Sequence, residues 1–212
     1  MIGLIRKDLY NLLSGWKILA VSIVIMVTFA TVKEMGAIVI CLLPTFFGLG
    51  VIGCVQQDAQ KKWYDYHKIL PISLRSIVTS RYLSYLCFTC IGLLVTVIYG
   101  YGIQFTMGIE TLGTRFAMWQ GLLLGITIAL SFAAVFLPTT YYNKGEKMEI
   151  SMMLSGFVAF GSVSLVLKLL KLMGIDLMEY TDMFIQILFM ASLIAFILSW
   201  IVAVIIYQKR SN

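Results

Sequence analysis

Charged side chains make up only 12% of the 212 residues, about half the share found in soluble domains. That scarcity, set beside 60% hydrophobic content, excludes an ordinary soluble domain and indicates a membrane protein. The chain has no G-x-x-x-x-G-K-[ST], hence no loop of backbone amides with a lysine to hold nucleotide phosphates. ATP hydrolysis is outside its own means. Histidine occurs once, as His67, and H-E-x-x-H is absent, so neither a zinc site nor a serine–histidine pair at membrane depth can be built. No catalytic residue, metal site or resident cofactor is expected. The long apolar runs hold no Asp, Glu, Lys, Arg or His, which argues against carriers that bind or relay a coupling ion on a buried charge. A sodium site of backbone carbonyls stays open, with Pro44, Gly48, Gly50 and Gly53 as candidate helix breaks. Cys41, Cys54, Cys87 and Cys90 all lie in apolar runs and read as small hydrophobes. The Cys87-x-x-Cys90 pair lacks the βαβ setting that a redox motif needs.

What is present is a series of six apolar runs, at about 18–32, 35–55, 83–107, 116–138, 150–167 and 183–207. A membrane-spanning helix takes about 20 apolar residues, so the fold expected is an all-α membrane protein with six transmembrane helices, one domain over 1–212. The first run is short, but Trp16, Lys17 and Lys33 beside it can sit at the interface and let it span. A cleaved signal peptide is the alternative for this run; five further runs and a poor cleavage site at Phe29-Ala30-Thr31-Val32 favour a retained helix. Ahead of it, Ile2, Ile5, Leu9, Leu12 and Leu13 recur at helical spacing, with Arg6, Lys7, Asp8 and Asn11 on other faces. Residues 1–15 therefore read as an amphipathic interfacial helix.

Placing both termini in the cytoplasm puts Arg6, Lys7, Lys17, Lys61, Lys62, Lys68, Arg75, Arg81, Lys144, Lys147, Lys209 and Arg210 inside. Of the 16 Lys and Arg only Lys33, Arg115, Lys168 and Lys171 then fall outside. This asymmetry sets orientation in the membrane, and the positive charge reads as topology rather than nucleic-acid binding. The largest polar segment, 56–82, becomes a cytoplasmic loop. In it Ala59, Trp63, Tyr66 and Leu70 form one helical stripe among Asp58, Lys61, Lys62, Asp65 and Lys68; Pro71 ends that helix and Ser73 can cap the next. The outer loop 168–182, with Asp176, Glu179 and Asp182, reads equally as a small cap or a solvated connector.

Small residues mark candidate helix contacts: Gly121 and Gly125 as G-x-x-x-G, and Ser151, Ser155 and Ala159 as one face. Packing within the chain is preferred over packing between subunits. Gln104, Gln120 and Gln186 are expected to face protein or a translocation path, because lipid would leave their amides unpaired.

The amphipathic start with its Lys7-Asp8-Leu9 element, the six-span layout and the segment from Gln57-Asp58-Ala59-Gln60-Lys61-Lys62-Trp63 to Leu70-Pro71-Ile72-Ser73-Leu74-Arg75 together resemble the permease subunits of ABC-2 type exporters (type V ABC exporters). Within them the chain is similar to the small bacterial branch that includes permeases of phenol-soluble modulin exporters. The resemblance implies a bacterial inner-membrane permease whose loop docks on a separately encoded ATPase, two permeases, identical or homologous, working with two ATPases that carry ATP and Mg. Asp58, Lys62, Trp63, Tyr66, Leu70, Pro71 and Ser73 would lie at or beside that dock. It implies an amphipathic or cytolytic peptide as first choice of cargo, with drugs, peptide antibiotics or lipid-linked molecules as alternatives. A non-transporting immunity or sensor protein is the competing class.

Overall fold

The computed structural model of the chain describes residues 2–14, 36–60, 73–107, 118–143, 147–172 and 181–211, with scattered positions between 20 and 28. The elements delimited among them are all helices: α1 (Ile2–Ser14), α2 (Gly36–Gly48), α3 (Gly50–Gln60), α4 (Leu74–Met107), α5 (Met118–Tyr142), α6 (Met148–Leu172) and α7 (Thr181–Ser211). Ile23 and Val27 are also helical and pack against Val39, Leu43 and Phe47 of α2.

Among the described residues, four stretches are long and apolar enough to cross a membrane: Ile38–Asp58, Leu74–Gly102, Met118–Tyr142 and Asp182–Lys209, with a shorter apolar helix over Met148–Ser164. Four of the six expected spans thus meet that measure, and the run at 150–167 falls in the shorter helix. Most of 18–32 lies outside the described residues, as do residues 61–72 and most of the outer loop 168–182. Helix α3 continues through Asp58 to Gln60, and α4 begins at Leu74, because a helix once formed extends past the apolar run that embeds it.

Helix directions follow from contacts at the ends. Gln120 and Asp182 bond at the starts of α5 and α7, and the Tyr141 and Tyr207 rings meet at a tilt near their ends, centroids 5.0 Å apart; the two helices run parallel. Tyr82, early in α4, shares a 2.7 Å hydrogen bond with Ser199, late in α7, so α4 opposes both. Asn143, at the end of α5, donates from Nδ2 to Ser151 Oγ in the first turn of α6 at 3.3 Å, and α6 packs back along α5.

Helix α5 is the hub, packed against α2, α4, α6 and α7. Its sequence explains this: Gly121, Gly125, Ala129 and Ala133 recur every fourth residue and all are buried, making a shallow groove along one face. A Cβ at Gly121 would stand 2.9 Å from Ile40 Cγ2, and one at Gly125 would stand 2.9 Å from the Cys41 carbonyl oxygen. Both glycines therefore admit α2 to backbone contact inside the chain. Ala129 receives at its carbonyl a 2.7 Å hydrogen bond from the buried Tyr85 hydroxyl of α4. Ser151, Ser155 and Ala159 form the buried face of α6, which packs on α5. The serines satisfy their hydroxyls locally, Ser155 Oγ donating to Ser151 O at 2.8 Å.

The α2–α3 span is interrupted at Leu49, whose N–H still bonds Thr45 O at 2.9 Å. Pro44 within α2 has no N–H for the Ile40 carbonyl. Gly48 brings the backbone against Tyr85: a Cβ there would lie 2.7 Å from the Tyr85 hydroxyl.

Candidate functional site

At one end of this bundle, where α1, α3 and α4 meet, four charged side chains form a buried cluster. Lys7 and Asp8 are consecutive in α1, so their side chains leave the helix about 100° apart and reach different neighbours. Lys7 Nζ meets Asp58 Oδ1 of α3 at 2.7 Å. Asp8 Oδ1 receives Arg81 Nη1 of α4 at 3.1 Å, and Asp8 Oδ2 accepts from Ser84 Oγ at 2.8 Å. Arg81 Nη2 pairs with Asp58 Oδ2. The guanidinium thus bridges two carboxylates with its planar fork, a task the compact ammonium of lysine cannot perform.

The cluster is balanced, two cations against two anions, and all four carboxylate oxygens have partners. Asp8 and Asp58 are 2% and 4% exposed, which is tolerable only with that pairing. Such a cluster contributes less to net stability than to uniqueness of arrangement, since removing any one member strands a buried charge. Its reach along the chain is long: it ties residue 7 to 58 and residue 8 to 81. It has no nucleophile–base pair, and no metal-binding group of His, Cys, Asp and Glu occurs among the described residues. It fixes three helices to one another.

A second fastening holds α4 to α7. Trp200 Nε1 donates to Thr79 Oγ1 at 3.1 Å, the Arg75 guanidinium lies 5.0 Å from the Trp200 ring, and Tyr82 and Ser199 share the bond already described. Ser73 caps α4, its Oγ accepting from Ser76 N at 3.3 Å, so the start of α4 is fixed where the 61–72 segment re-enters the bundle.

Of the residues singled out in the sequence, Asp58 lies in the cluster and Ser73 at the α4 cap. Lys62, Trp63, Tyr66, Leu70 and Pro71 lie outside the described residues. Gln120 donates to Asp182; Gln186 is on the exposed side of α7; Gln104 belongs to α4, its side chain outside the description. Sequence reasoning missed Asp8, Arg81 and Ser84 as partners. Asp8 was read as part of α1's polar, outward surface and instead turns into the protein. The available signal was charge arithmetic: Lys7, Asp8, Asp58 and Arg81 lie outside the apolar runs and sum to zero.

A profile described as "ABC-2 family transporter protein" matches residues 3–208, which include the whole cluster and every helix that meets in it. No curated protein and no solved structure matches the chain. With nearly its full length matched and four stretches among the described residues able to cross a membrane, the chain belongs to the ABC-2 transporter family as a membrane-embedded permease component.

Proposed function

We propose that the chain is the transmembrane subunit of an ATP-driven exporter of the bacterial inner membrane, paired with a second permease and powered by two separate ATPase subunits that bind ATP and Mg. The observation that carries this reading is the cluster at the α1–α3–α4 junction. The 61–72 segment leaves from Gln60 and returns at Ser73, and both of its roots are fastened, one by Asp58 and the other by the Ser73 cap and Arg81. Force applied to that segment reaches three helices at once instead of dissipating in a slack loop. Both termini and the segment face the cytoplasm in this reading, as the Lys and Arg distribution requires. Residues 1–15 then lie at the inner interface while docking on α3 and α4.

The cargo is an amphipathic peptide. Met153, Phe157 and Phe160 of α6 form an open apolar surface beside Ile128 of α5, and flexible methionine and aromatic side chains suit apolar ligands of varied shape. Drugs and lipid-linked molecules share that chemistry, and export assays with each class separate them.

Trp63→Ala tests the docking role. Buried aromatic anchors dominate such contacts, at roughly 2 kcal/mol or more on truncation, whereas rim charges contribute little. Co-purification of the ATPase and export should both fall at matched membrane levels, with Lys61→Ala nearly silent. Undiminished pull-down with normal export would remove the segment as the coupling element.

A further inference from the structure

Two arginines stand near the start of α4, and the charge cluster accounts for one of them. Arg81 is spent on Asp8 and Asp58 inside the protein. Arg75, six residues earlier, leaves the helix on a different face and is exposed. Its guanidinium lies 5.0 Å from the centre of the half-buried Trp200 ring of α7, and among the described residues it meets no carboxylate. A cation held over a ring keeps its N–H donors for another partner. The ring is fixed in turn: Trp200 Nε1 donates to Thr79 Oγ1 at 3.1 Å, and Thr79 Oγ1 donates to the Arg75 carbonyl oxygen at 2.8 Å. The α4–α7 seam thus presents a positioned cation.

The face on which Arg75 stands is the one that meets lipid. Continuing from Arg75 and Thr79 at three- and four-residue spacing, Leu83, Cys87, Cys90, Leu94 and Ile98 are all exposed within the span Leu74–Gly102. On α7, Ile197 and Ile201 beside Trp200 are exposed too. An apolar track selects no particular lipid, because acyl chains are alike to it. A guanidinium at its head does select, since its charge and planar fork match a phosphate, and in phosphatidylcholine that phosphate is already offset by the choline.

We propose that the Arg75–Trp200 seam binds the headgroup of an anionic phospholipid, whose chains lie along the exposed stripe of α4. Arg75 supplies the charge, and Trp200 holds it at the headgroup level, where tryptophan is favoured. The site does not depend on the export reading and needs only a membrane-embedded chain.

Trp200 reports on its own site. The full chain with Trp16, Trp63 and Trp119 replaced by phenylalanine keeps Trp200 as its one tryptophan. It is placed in phosphatidylcholine vesicles in which a fixed fraction of the lipid carries bromine on its acyl chains, as phosphatidylglycerol in one set and phosphatidylcholine in the other. Bromine quenches a tryptophan that it reaches, so the ratio of the two sets gives relative occupancy, corrected for the exposure of the ring. Phosphatidylglycerol should be favoured about fivefold, the effect of one basic side chain at an anionic surface. Arg75→Gln should bring that preference to within about twofold of parity, and Arg75→Lys, which keeps a charge over the ring, should stay above Arg75→Gln. Lys147→Gln takes the same charge from the same end of the bundle, on α6, and should leave the preference within about twofold of the original. Parity in the parent chain overturns the site, as does Arg75→Lys falling as far as Arg75→Gln. A preference that survives Arg75→Gln, or falls as far with Lys147→Gln, overturns it too, since it belongs to diffuse surface charge. Loss of the preference when inorganic phosphate replaces chloride at equal ionic strength would mean that the seam takes the free anion, and overturns the lipid assignment.

Discussion

Asp8 shows how far a single side chain can depart from its local pattern. On α1 its neighbours Arg6 and Tyr10 are exposed, and an isolated helix would carry Asp8 to water with them. Burial is bearable because Arg81 and Ser84 meet both of its oxygens. Replacing it with asparagine leaves part of the Arg81 charge uncompensated in a dry site, and removing one partner of a buried pair costs about 3–5 kcal/mol. Asp8→Asn should lose stability of that order when unfolding is followed in mixed micelles. Arg6→Gln, two residues earlier on an exposed face, should stay within about 0.5 kcal/mol. Lys7→Gln should fall between them, at about 1 kcal/mol, since water screens Lys7 and Arg81 still holds Asp58. Equal losses for Asp8→Asn and Lys7→Gln would contradict this ranking, which rests on a side chain 3% exposed at Asp8 against 30% at Lys7.

At the scale of the helix, fit is decided by the small-residue stripe of α5. Gly125 lies where a Cβ would meet the Cys41 carbonyl at 2.9 Å and Pro44 Cγ at 3.1 Å, and a backbone atom cannot rotate aside as a side chain can. Gly125→Ala should therefore push α2 from α5 and cost about 1–3 kcal/mol. At Gly53 a Cβ meets nothing within 4 Å. There alanine should be neutral or stabilise by up to about 1 kcal/mol through helix propensity, and the same unfolding measurement compares the two. The G-x-x-x-G pattern was legible in the sequence, and so was Ser73 as a cap, because both are local spacings. That Gly125 serves α2, and that Tyr85 fills the space left by Gly48, was not legible, since spacing along one helix does not name its neighbour.

For the molecule as a whole, the ends of α5 and α7 and the starts of α4 and α6 share the end of the bundle that holds the charge cluster. A single cysteine in an otherwise cysteine-free chain tests which side this is. Asp65→Cys and Lys209→Cys should stay unlabelled by an impermeant thiol reagent in intact cells, and Met178→Cys should label, as the positive-inside distribution demands. The reverse pattern would invert the proposed topology and place the 61–72 segment out of reach of any cytoplasmic ATPase. At this scale α7 is also informative: Ile187, Met190, Ile194, Ile197 and Ile201 are all exposed on it, the surface expected of a helix at the rim of a membrane bundle.

Composition and periodicity by themselves determined that this chain lives in a membrane and is helical, with a helix over Ile2–Ser14 set apart from the apolar runs. These follow from the solvent a residue needs and from the repeat of the helix, both of which act over a few turns. The pairing of Lys7 with Asp58 and of Asp8 with Arg81 was decided only in the tertiary structure. A charge in the sequence carries no record of its partner, and at the inner end of an apolar helix it has two outlets, water or an opposite charge. Packing α1 into the cleft between α3 and α4 closed the first outlet for Asp8 and left it half open for Lys7.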